Sequence, residues 1–185
     1  MAQLIDGKVI SAQIKDELKA QAASLKEQGV GKVINVGASI ASTKRTIELM
    51  NQYPFVYGIL GVHPSDTAEL TEADMDWLKE QFQNPKAVAV GEIGLDYYWD
   101  EPDRSIQQKW FERQLELAKE IKKPVCIHSR EAANDTLSMM SNAHAEEMGG
   151  VIHCFSYGKE MAREFLNMDF QHFLSYKIPP VYCFH

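Results

Sequence analysis

Four residues of metal-binding type stand at the ends of four apolar runs. VYGILGVHP leads to His63, AVAVGE to Glu92, KPVCIHSR to His128 and GGVIHCFS to His153. Each run is too short for a helix and long enough for a buried strand. The separations are 29, 36 and 25 residues, close to what a strand, a helix and a return connection occupy in a βαβ unit. Parallel strands joined in this way bring their C-terminal ends to one edge of the sheet, so the four residues are expected to share one site. A glutamate with three histidines is an oxygen and nitrogen donor set that suits zinc, manganese or magnesium, with water in the open positions. The chemistry expected of such a site is activation of water. A single histidine at a strand end is more often a hydrogen-bonded core residue. Burying a carboxylate with several imidazoles is costly without a cation or partner, and this favours the shared site.

The same stretches carry a family resemblance. GVHPSD, AVGEIGLDYYWD, QLELAKEIKKPVCIHSREA and GGVIHCFS, in that order, resemble the successive motifs of the TatD family of metal-dependent deoxyribonucleases, from about Val30 to Phe170. The resemblance implies a TIM-type (β/α) barrel. It also implies Glu92, His128 and His153 as ligands of a divalent cation (Mg, Mn or Zn), with His63 and Glu92 in catalysis. The implied partner is DNA, single-stranded or at 3′ ends, cut exonucleolytically by metal-activated water. Three departures stand out. Where the family's first strand carries an Asp followed by an H-x-H pair, Asp6 is followed here by Gly7, Lys8, Val9 and Ile10. Ser65 stands where the family usually has a second histidine, and the metal-binding Asp of a late strand-end motif has no counterpart. One cation is therefore expected rather than two, with weakened activity. The alternative reading is a catalytically inactive TatD-like fragment or fusion product.

Residues 1–29 resemble instead the N-terminus of the bifunctional methylenetetrahydrofolate dehydrogenase/cyclohydrolase. No G-x-G-x-x-G loop follows any strand, so this leader brings no dinucleotide chemistry. Its pattern predicts a short strand over LIDGKVI, then a helix capped by Ser11 with Ile14, Leu18, Ala22 and Leu25 on one face. Further on, GKVINVGAS reads as a strand, followed by a helix from about Ser42 to Gln52 with Ile47 and Met50 inward. Thr71 and Asp74 cap a helix that buries Met75, Leu78 and Phe82, and Ser105 with Gln108 forms a capping-box signature ahead of Ile106, Trp110, Leu117 and Ile121. Asp96 reads as a turn former or a support for the site. Tyr97, Tyr98 and Trp99 either stack on a base or pack their own loop. Arg130, two residues past His128, is placed to hold a phosphate through paired charge-assisted bonds, against the plainer reading of a salt bridge to Glu131. His144 reads as solvated surface on a polar helix. Nothing in the pattern brings His172 or His185 to a strand mouth.

At 185 residues and 45% hydrophobic content, the chain suits one α/β domain with a real core over residues 1–185, atypical at 1–29 and 171–185. A barrel usually needs about 250 residues, so this one is expected to be incomplete, with about six or seven of eight βα units. The net charge of -7 argues against broad binding of duplex DNA and leaves only local recognition of nucleic acid. Cys126, Cys154 and Cys183 are too few and scattered for a disulfide framework or a cysteine zinc site. Cys126 and Cys154 read as small residues inside strands in a reducing, cytoplasmic setting. No run is long enough to span a membrane, and no signal peptide is evident.

Overall fold

The computed structural model describes residues 7–25, 27–99 and 101–172. The chain divides into two compact units, residues 1–33 and 34–185. The first carries a helix, α1, Gly7–Ser24. Gly7 to Ile10 are thus helical rather than extended, and Ser11 lies inside the helix instead of capping it. Ile10 stands one turn before Ile14 and Leu18 one turn after, so the apolar stripe runs further upstream than the predicted cap. The β preference of Val9 and Ile10 yields to that period. Val9, Ile10, Ile14 and Leu18 are all exposed. Residues 1–6, with Asp6, lie outside the described residues.

The second unit holds the sheet. Its strands are β1 (Val33–Val36), β2 (Val56–Leu60), β3 (Ala87–Asp96), β4 (Val125–Arg130), β5 (Gly150–Ile152) and β6 (Phe170–His172). They are parallel and lie side by side in chain order. A doubly wound sheet reverses its order at a switch point; here every crossover adds the next strand on the same side. Right-handed crossovers running in one direction keep the helices on one face and curl the sheet. Among the described residues the result is an α/β half-barrel of six parallel strands, the incomplete barrel expected from the chain's length.

Between the strands run α2 (Ile40–Gln52), α3 (Glu72–Gln81), α4 (Arg104–Ile121), α5 (Ala133–Asn142) and α6 (Lys159–Asn167). α2 begins two residues before the predicted Ser42, because Ser39 caps it: the Ser39 hydroxyl accepts the Ser42 N–H and the Ser42 hydroxyl accepts the Ser39 N–H. Its buried face is Thr43, Thr46 and Met50, while Ile47 is half-buried. Thr71 and Asp74 form the expected capping box of α3 over buried Met75, Leu78 and Phe82. α4 starts at Arg104 with Asp103 in the cap position, so Ser105 and Gln108 sit within its first turns. His144 follows α5 in a left-handed turn rather than lying in a helix, and it is exposed. Cys126 is buried in β4, but Cys154 falls just past β5, which stops at Ile152. Cys183 and His185 lie outside the described residues.

α4 does more than cover the sheet. Gln107, Trp110, Phe111 and Gln114 lie on one face at helical spacing and are all buried. The Gln114 side chain accepts the Val62 N–H at 2.8 Å and donates to the Val62 carbonyl at 3.0 Å. Gln107 does the same for Asp96, at 2.8 Å and 3.0 Å. Each amide mimics a neighbouring strand and fixes the chain where β2 and β3 run out toward the site. Gly94 has φ +141°, and a Cβ there would lie 1.9 Å from the His128 carbonyl oxygen, so this glycine permits the close pairing of β3 with β4. Gly94→Ala is expected to destabilise the chain by about 3 kcal/mol in urea unfolding, from clash and backbone strain together. Gln114→Leu strands both polar groups of Val62 and should cost about 2–3 kcal/mol in the same measurement.

Candidate metal centre

The half-barrel brings His63, Glu92 and His128 together. One potential ligand atom from each lies within 4.8 Å of the others, and no other such group occurs among the described residues. The placements differ in detail from four strand ends. His63 follows β2 by three residues and His153 follows β5 by one, but Glu92 and His128 lie inside β3 and β4. Those strands continue in register past the site, with Gly94 opposite His128 and Asp96 opposite Arg130. Val90 pairs with Val125 and Ile93 with Ile127, so β3 carries one extra residue at Gly91–Glu92. A bulge of this kind re-aims a side chain, and here it falls at the carboxylate.

Glu92 is buried, and its Oε1 is the one buried side-chain oxygen or nitrogen without a hydrogen-bond partner among the described residues. His128 Nδ1 lies 3.3 Å from that oxygen, close enough for attraction but outside hydrogen-bond geometry. On its other side, His128 Nε2 lies 3.0 Å from Asp96 Oδ2. The rings of His63 and His128 meet edge to face, with centroids 4.2 Å apart. His153 is half-buried and stands beside this group rather than in it, close enough to influence both Glu92 and His63. An orphaned buried carboxylate oxygen facing imidazole nitrogens is a donor set that fits a divalent cation.

The electrostatics are mutually adjusted. Burial alone would raise the Glu92 carboxyl, but contact with His128 and the fields of His153 and His63 outweigh it and hold the group below its ordinary value. Burial alone would lower His128, yet Glu92 and Asp96 together raise it. His63 is lowered from 6.5 to about 4 by burial and by His128, against the smaller pull of Glu92 and Asp96. The His63 ring is therefore neutral at neutral pH. Its Nδ1 accepts the Ser65 N–H at 3.2 Å and lies 2.9 Å from the Ser65 hydroxyl, so the ring proton sits on Nε2. Ser65 thus orients His63 in a place where the sequence suggests only a lost contact.

Toward the rim, Arg130 is exposed and its guanidinium lies 3.8 Å over the Tyr98 ring. It forms no ion pair with Glu131 among the described residues. Tyr97 is buried, with its hydroxyl donating to Asp135 at 2.8 Å and accepting from Gln108 at 2.7 Å, so it packs the loop. Tyr98 and Trp99 are 50% and 65% exposed and available for stacking. His172 ends β6 opposite Ile152, a strand-end place that the pattern alone does not indicate. Sequence reasoning also missed Gln107 and Gln114. Their signal is a polar residue repeated on the apolar face of a helix.

The titrations predict the stability of the metal-free chain. His63 has a folded pKa below its unfolded value, so the unfolded chain binds more protons and stability falls as pH drops from 6.5 toward 4. His128 is raised, so its contribution is present below 6.5 and is lost as pH rises through its folded value. Urea unfolding across pH should show both slopes, with His63→Gln flattening the acid side and His128→Gln the alkaline side.

The profile of the family described as TatD related DNase matches residues 9–182. That match begins inside the leader and runs through the tail, and nothing supports the folate-enzyme likeness of residues 1–29. Among relatives, an uncharacterized metal-dependent hydrolase of Bacillus subtilis (strain 168), YabD, is 37% identical over 158 residues, covering 85% of this chain and 62% of its own length. The 3′-5′ ssDNA/RNA exonuclease TatD of Salmonella typhimurium is 28% identical, covering 80% of this chain and 56% of its own. The crystal structure of YjjV, a TatD homologue from Escherichia coli K12, superposes with a TM-score of 0.74 at 31% identity, over 83% of this chain and 61% of that one. The chain spans 54–62% of the length of the curated relatives it matches. With the fold, the motif order and the profile in agreement, the chain belongs to the TatD family of metal-dependent hydrolases.

Proposed function

We propose that this chain is a metal-dependent phosphodiesterase of the deoxyribonuclease type, acting on single-stranded DNA ends. The observation that carries the reading is the buried Glu92 carboxylate, one oxygen orphaned, facing His128 Nδ1 with His63 alongside. A divalent cation there, magnesium, manganese or zinc, would polarise a phosphodiester oxygen and make water a better nucleophile. Glu92 and His128 hold it, and His153 completes the set from the adjacent strand end. His63, neutral and protonated on Nε2, donates a hydrogen bond to a phosphate oxygen and so orients the phosphodiester for attack. Arg130 engages a neighbouring phosphate, and Tyr98 and Trp99 offer faces on which a base stacks. The printed name of the Salmonella relative supports single-stranded nucleic acid as the substrate. The net charge of -7 supports recognition of a chain end rather than a long duplex.

Calorimetry with manganese and zinc, paired with nucleotide release from single-stranded DNA, tests the reading on the wild-type chain and on Glu92→Ala. Saturable binding and metal-dependent release that both disappear in the variant are the expected results. Loss of transition-state stabilisation of about 3 kcal/mol would lower release by about two orders of magnitude. Binding that ignores the substitution, or no binding at all, would instead identify the chain as inactive scaffold.

A further inference from the structure

We infer that Asp96 is a positioning residue that fixes the tautomer of His128, so that Nδ1 presents its lone pair beside Glu92. The inference rests on the metal reading above and concerns a residue with no place in it. Asp96 is 2% exposed, too deep to be a solvated turn residue alone. Its two carboxylate oxygens have different tasks. Oδ1 accepts the N–H groups of Tyr98 at 3.1 Å and Trp99 at 3.3 Å, which closes the turn after β3. Oδ2 is left for His128 Nε2 at 3.0 Å. The backbone cannot drift, because Gln107 bonds both the N–H and the carbonyl of Asp96.

The Asp96 oxygen is the acceptor of this contact, so its proton belongs to His128 Nε2. In the neutral ring the other nitrogen is then unprotonated. That nitrogen, Nδ1, is the one 3.3 Å from Glu92 Oε1. With the opposite tautomer, an N–H would occupy the direction in which a cation needs a lone pair. A carboxylate behind a ligating imidazole fixes ring orientation and raises ligand basicity. Register supplies the geometry: Gly94 lies opposite His128 and Asp96 opposite Arg130, so Asp96 reaches back along β4 to the ring.

Asp96→Asn separates this role from turn closure. The amide oxygen still accepts from Tyr98 and Trp99, while the NH2 group now faces Nε2 and donates to it, favouring the wrong tautomer. Asp96→Ala loses the turn but imposes no tautomer. Manganese affinity by calorimetry should fall about 10- to 100-fold in Asp96→Asn. Its metal-free unfolding midpoint should stay near wild type, whereas Asp96→Ala should lose more stability and less affinity. A turn-closing role alone predicts the opposite order of affinities, with Asp96→Asn near wild type and Asp96→Ala the weaker binder. As a second readout, 15N NMR of the zinc-loaded wild-type chain should show His128 protonated on Nε2. Wild-type affinity in Asp96→Asn, or an unprotonated Nε2 in the loaded wild type, overturns the inference and leaves the metal reading intact. Failure of the wild type to bind either metal overturns both.

Discussion

Taking a carboxylate out of water costs several kcal/mol even after the protein relaxes around it, and Glu92 is buried with one oxygen that no described group hydrogen-bonds. Its surroundings answer that cost by sign rather than by hydrogen bonding. Three imidazoles act on the carboxyl, and the nearest, His128, is itself drawn toward protonation by Glu92 and Asp96. The opposite happens to His63, which burial and His128 keep neutral. Two histidines with touching rings are thus shifted in opposite directions, His128 upward by the carboxylates of Glu92 and Asp96 and His63 downward by burial and by His128 itself. A cation seated among them would supply compensating charge directly.

Such an arrangement depends on a rigid frame. β3 and β4 are paired through and beyond the site, and the bulge at Gly91–Glu92 turns the carboxylate without ending the strand. Gly94 lets the two backbones approach where a side chain would collide. On the outer side, α4 places Gln107 and Gln114 two turns apart, one on Asp96 and one on Val62. The helix therefore anchors the segments leading to His63 and to the turn beyond Glu92 at once. Polar residues buried on its apolar face are fully satisfied, which is the condition under which a buried polar contact specifies a single arrangement.

For the nucleic-acid substrate proposed above, charge and aromatic surface would divide the work of recognition. An acidic chain repels an extended polyanion at long range, so attraction would come from the rim of the site itself. Arg130 is held over Tyr98, and Tyr98 meets Trp99 edge to face at 5.0 Å, which places a cation and two exposed aromatic faces next to one another. Tyr97, adjacent in sequence, points the other way and packs into the loop through Asp135 and Gln108. One tripeptide thus serves both the interior and the surface.

Much of this was legible before any coordinates. Strand-like runs ending near His63, Glu92, His128 and His153, spaced by one crossover each, were enough to place a polar site at one edge of a parallel sheet, because alternation of strand and helix fixes where strand ends meet. Apolar periods also located α3 and, through Trp110 and Leu117, part of the buried face of α4, where Ile106 and Ile121 are only half-buried. The start of α1 departs from the local pattern because β-branched residues lie on a helical stripe, and that of α4 because Ser105 with Gln108 mimics a cap within the first turns of the helix that follows Asp103. What the sequence determined by itself was which residue types arrive at the edge. Which nitrogen of His128 faces Glu92, which of His63 faces Ser65, and the contact between Asp96 and a ring 32 residues away were decided only by tertiary structure. Local periodicity sets the face on which a side chain lies, whereas the partner of each polar atom is set by register between distant strands, by one bulge and by the packing of a helix behind them.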